Sequence, residues 1–131
     1  MNDYPKRLKR QFRELAAAAH ERAVRAQLEE LMAAFQQWHA GKLGTWELTD
    51  LIHRFHDGAA RDLFVFYTRA QPNMAVAHAI ATGVLQEAEV PAEVRQALAG
   101  LIDMQRSWKQ ESADEAKEQP NKSQRRTRSW S

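Results

Sequence analysis

From residue 6 to residue 40 the chain contains neither glycine nor proline. Its filling there is mostly Ala, Leu, Glu, Gln, Lys and Arg, the residues that lose least on entering a helix. The stretch 5–40 therefore reads as one long helix. Asp3 is placed to cap it, and Pro5 falls in the first turn, where a missing N–H costs nothing. Gly41 supplies the left-handed stop and Gly44 reinforces the break. About 35 residues at about 1.5 Å each give roughly 50 Å. A domain of about 100 residues has a radius of gyration of only ~13 Å. Part of this helix is therefore expected to project or to pair with a partner.

Its apolar residues recur at helical spacing as Leu8, Phe12, Leu15 and Ala19, and then as Val24, Leu28, Leu31, Phe35 and Trp38. The step of five between Ala19 and Val24 rotates the stripe, so the two halves should face different neighbours, or the helix bends near Ala23. Lys6, Arg7, Lys9, Arg10 and Arg13 crowd the first turns against only Asp3 and Glu14. Cations oppose the macrodipole at a helix N-terminus. This charge points to the N-terminal end as the projecting part, with Leu8, Phe12 and Leu15 as a leftover apolar face for a partner.

After the long helix, Thr45 is a predicted cap for a second helix over residues 46–57, with Leu48, Leu51, Ile52 and Phe55 as its stripe and Gly58 as its stop. A third helix is expected over 59–69; with no second strand candidate for pairing, LFVFY at 63–67 reads as helix rather than strand. Gln71, Pro72 and Asn73 form a turn before a fourth helix over 74–82, in which Ala75, Val76, Ala79 and Ile80 face inward. Gly83 ends it, Val84 and Leu85 tuck into the core, and 86–90 is an acidic connection. Pro91 opens a fifth helix to about Lys109, with Val94, Leu98, Leu101, Ile102, Gln105 and Trp108 on one face. The predicted fold is all-α: one domain over 1–109, with four shorter helices packed along the C-terminal half of the long one. Residues 110–131 hold almost no aliphatic side chains and read as a disordered polar tail.

Several function classes lose ground on composition alone. There is no cysteine, hence no disulfide framework, thiolate metal site or cysteine nucleophile. No apolar run approaches the ~20 residues of a membrane span, and no apolar segment follows the charged start as in a secretory signal. A cytoplasmic protein with no membrane association is expected. Residues 1–108 carry 13 Lys and Arg against 13 Asp and Glu, so the net charge of +2 resides in the tail. A neutral body does not capture nucleic acid broadly. Two local patches remain for that role: Lys6, Arg7, Lys9, Arg10 and Arg13, and the tail residues Arg125, Arg126 and Arg128 beside Trp130.

For chemistry, the densest polar group is Asp50, His53 and His56 on the second helix. Two imidazoles and a carboxylate are a possible zinc set, against the plainer reading of surface pairs. Arg54 and Arg61 flank the Gly58 turn as a candidate contact rim. Trp38 and Trp46 flank the Gly41–Gly44 turn, where they are expected to staple the first two helices together. A helix-turn-helix over the fourth and fifth helices has the wrong charge sign, since Glu87, Glu89 and Glu93 surround the only cation, Arg95. No nucleophile elbow, phosphate loop or di-metal Glu-x-x-His pair is present. No cofactor is expected, and catalysis is disfavoured. The expectation is a non-catalytic interaction or regulatory protein acting through helix-mediated contacts, either with a protein partner or with itself. Nucleic-acid binding at the two basic patches is the alternative, and a metal site at His53 and His56 the second alternative.

Overall fold

The computed structural model describes residues 4–118, with side chains as far as residue 115. Among the described residues all regular structure is helical: α1 (Lys6–His39), α2 (Thr45–Arg54), α3 (Ala60–Arg69), α4 (Pro72–Ala81), α5 (Ala92–Ala97) and α6 (Ala99–Glu118). A π turn, Phe55–Ala59, links α2 to α3, and a 3-10 turn, Glu87–Glu89, precedes α5.

The long helix is present. Pro5 is its flanking residue, while Asp3 lies outside the described residues. Gly41 stops it at φ +80, a backbone conformation only glycine adopts cheaply.

Gly58 does not end the second helix. The chain stays helical from residue 45 to residue 69 through the π turn. Phe55 and Leu63 are eight residues apart, one more than the two-turn spacing of seven; the wider π turn absorbs the extra residue and keeps both half-buried. Residues 45–69 thus act as one helix, antiparallel to α1. Gly44, not Thr45, precedes its first turn, and its N–H donates to Glu47 Oε1 at 3.2 Å.

The core lies at the start of α1. Leu8, Phe12, Ala16 and Ala19 are buried together with Ala75, Val76, Ala77, Ala79 and Ile80 of α4, and with Leu85, Val90, Val94, Leu98 and Ile102. Alanines on both α1 and α4 permit close approach, and α4 is buried nearly all round. Packing of α4, α5 and α6 therefore centres on the N-terminal half of α1, contrary to the expectation that the shorter helices line its C-terminal half. The N-terminal end does not project. Charge on one face of a helix leaves the opposite face free to bury. Arg7 even serves the core by pairing with Glu93 of α5.

The predicted fifth helix breaks at Leu98 (φ -104, ψ 8) into α5 and α6. Helix α6 continues to Glu118, so residues 110–118 are helical rather than part of an irregular tail. Their Ala, Glu, Lys and Gln favour a helix, and Gln110 Nε2 donates to Asp114 Oδ1 at 3.3 Å one turn on. Trp108 is half exposed and does not join the core face.

Candidate interaction surface

The projecting part of the molecule is the far end of α1 with α2, a helical hairpin beyond the core. Gln27, Leu31 and Ala34 of α1 face Leu51, Arg54, Phe55 and Ala59 across an open cleft of about 190 Å³. At the tip, Trp38 Nε1 donates to Thr45 Oγ1 at 3.1 Å. Toward the core, His20 stacks on Tyr67 with ring centres 4.9 Å apart. These contacts define the inward residues of the two antiparallel helices.

The residue before an inward one faces the core. Ala19 precedes His20 and is buried in the core cluster; Phe66 precedes Tyr67 and packs on His78 of α4 at 4.7 Å. About 100° further round from the middle of the inward stripe, side chains turn to the opposite broad face. Leu28 follows Gln27, Met32 follows Leu31 and Phe35 follows Ala34; on the second helix Ile52 follows Leu51, and Phe64 lies two residues before the core-facing Phe66, about 200° round from it. In antiparallel right-handed helices the same sense of rotation leads to the same side of the pair. These five side chains therefore share one broad face of the hairpin, opposite α4, and all five are exposed. A shallow groove continues that face along α1 past Ala17, Glu21, Val24 and Arg25.

The residues expected to meet a partner do not lie on this surface. Leu8 and Phe12 are buried and Leu15 is packed against the core, so none of the three is free for a partner. Phe12 also takes Tyr4 edge-on at 5.0 Å. Arg54 pairs with Asp50 at 3.0 Å, and Arg61 is exposed one turn before Phe64, at the border of the apolar face. Trp38 ties the first two helices as expected. Trp46 does not: it is 83% exposed.

The metal reading is not supported by the geometry. His53 Nε2 meets Asp57 Oδ2 at 3.0 Å, and Asp50 is held by Arg54. Among the described residues no three His, Cys, Asp or Glu side chains gather around a common point.

The basic patch is divided. Arg7 is engaged by Glu93. Lys6, Lys9, Arg10 and Arg13 fall within about 100° of arc on α1 and are exposed. Lys9 and Arg13 edge a pocket of about 160 Å³ with Tyr4, Phe12, Pro72 and Asn73. Arg125, Arg126 and Arg128 lie outside the described residues.

Sequence reasoning missed one polar anchor. Arg22 donates through Nη1 to the Val84 carbonyl at 2.9 Å, and grips Glu89 with both terminal nitrogens at 2.7 and 2.8 Å. Glu89 also accepts the Gln86 N–H at 2.8 Å. The Arg22 guanidinium, and then this backbone N–H, hold the Glu89 carboxyl down to about 2. Arg106 likewise keeps the Glu87 carboxyl below its ordinary range. The two pairs fasten the 86–90 connection to α1 and α6. No local signal reveals a pair 67 residues apart; only the spacing of Gln86 and Glu89, that of a helical cap, was visible.

No helix among the described residues is long and apolar enough to cross a membrane. Comparison with protein-family models, curated proteins and solved structures finds no match.

Proposed function

We propose that this protein is a non-catalytic interaction module whose binding surface is the exposed face of the hairpin formed by α1 and residues 45–69. One observation carries the reading: five large apolar side chains on two helices converge on one face and stay exposed. Single exposed apolar residues are ordinary, whereas a contiguous patch rimmed by polar residues marks a contact site. The face lies on regular helices, which suits helix-mediated docking.

A photo-cross-linking benzophenone side chain in place of Phe35 tests this in cells. The expected result is a discrete protein adduct that is absent when the same group replaces Glu111. No adduct above that control sinks the proposal.

The basic stripe of Lys6, Lys9, Arg10 and Arg13 supports a second reading, nucleic-acid binding at the other end of α1. Four phosphate contacts give a slope of log affinity on log salt near −3 to −4. If neither single- nor double-stranded nucleic acid binds at low salt, that reading is discarded.

A further inference from the structure

We infer that the partner covering the hairpin face is a second copy of this chain, two hairpins stacking face to face as a four-helix arrangement. The inference rests on the interaction reading above.

The area fits. Leu28, Met32, Phe35, Ile52 and Phe64 are between 38% and 60% exposed. Taking the ~200 Å² of a large aromatic side chain as an upper figure for each, they present at most roughly 500 Å² of apolar surface. A standard interface takes about 800 Å² from each partner, and homodimer interfaces are about 65% apolar, which again is roughly 500 Å².

The charge fits a like partner better than a charged one. Residues 24–69 hold five Lys and Arg against six Asp and Glu. Several of these charges meet within one helical stretch: Arg25 with Glu29, Arg54 with Asp50, and Asp57 with His53. The hairpin has no field to steer nucleic acid or a strongly charged protein. Nor does it carry the cationic rim of a helix that rests on an anionic membrane. A near-neutral apolar face meets little electrostatic opposition from another of its kind.

The symmetry closes. A two-fold axis normal to the face sets each hairpin on the other, so the patch meets itself and this contact closes without propagating. Stacking two two-helix layers also reproduces a common bundle architecture.

Sedimentation velocity of the full chain across roughly 1–100 µM, the range of a modest interface, is the test. The expected result is a species of twice the 15.1 kDa chain mass. Met32→Glu and Phe64→Glu, on different helices, each weaken the association by about 30-fold or more, with helical circular dichroism unchanged because both sites are exposed in the protomer. Glu111→Lys leaves it unchanged. A monomer at every concentration, or a dimer that both glutamate variants leave intact, overturns the inference. A monomer whose residue 35 cross-links a different polypeptide in cells overturns the second copy but leaves the interaction reading standing. A monomer with no cross-link removes both.

Discussion

Phe12 and Leu28 are both large apolar residues on the same helix, and the tertiary structure treats them oppositely. Phe12 is 2% exposed within the core, while Leu28 is about half exposed. Phe12→Ala leaves a cavity among α1, α4 and Tyr4 and is expected to cost about 3–5 kcal/mol in denaturant unfolding. Leu28→Ala trims a half-exposed side chain and, in the protomer at concentrations too low to associate, should cost far less, about 1 kcal/mol or under. Equal losses at the two sites would contradict the placement of the core. Glu89 gives a pH-dependent prediction. Its folded carboxyl is held near 2 by Arg22, below the ordinary value of about 4.3. The folded state thus binds fewer protons than the unfolded one, so the contribution is present above about pH 4.3 and lost as pH falls toward 2. Thermal melting of Glu89→Gln should show a shallower decline than the parent across that window. Parallel curves would show that the pair is not formed.

At the scale of elements, the π turn explains why Gly58 failed as a stop signal. Gly58 lacks a positive φ, and a Cβ built there meets nothing within 4 Å. Gly58→Ala is therefore expected to stabilise the protein by about 0.4–1 kcal/mol through the unfolded chain. Gly83 also has open space, but its φ is +84. Gly83→Ala is expected to destabilise, since an L side chain there is strained. Chemical denaturation of the two variants checks both signs. Destabilisation by Gly58→Ala would count against a continuous helix from 45 to 69. Glycine is an ambiguous signal in sequence because it is compatible both with a left-handed stop and with an uninterrupted helix. Gly41 and Gly83 take the first course, with positive φ, and Gly58 the second.

At the scale of the molecule, burial is uneven. Helix α4 and the first half of α1 hold most of the core, whereas α2 buries only Leu48. Local opening should follow that gradient. Hydrogen exchange of the protomer is expected to be slowest in α4 and fastest around the residue 40–44 turn and the adjoining ends of α1 and α2. Once the hairpin face is covered, protection there should rise while α4 changes little. Uniform protection in the uncovered chain would argue that the hairpin is not an exposed extension of the core.

Much of the architecture was legible along the chain because it depends on local physics. Glycine-free, alanine-rich sequence makes α1; apolar spacing marks α4 and the face of Val94, Leu98 and Ile102; and residues 63–67, with no second strand candidate to pair with, read as helix and are helical. The five-residue step after Ala19 also announced that the two halves of α1 serve different neighbours. Periodicity, however, states that a stripe wants burial without stating what is available to bury it. Leu8, Phe12 and Leu15 looked like the unsatisfied stripe because cations surround them, yet α4 returns across 60 residues with matching alanines and covers them. Leu28 and Phe35 carry the same kind of signal and stay nearly half exposed within the described residues. That allocation depends on long-range packing, as does the pairing of Arg22 with Glu89. Local composition therefore determined which segments are helices, and only the tertiary structure decided which apolar face was left exposed.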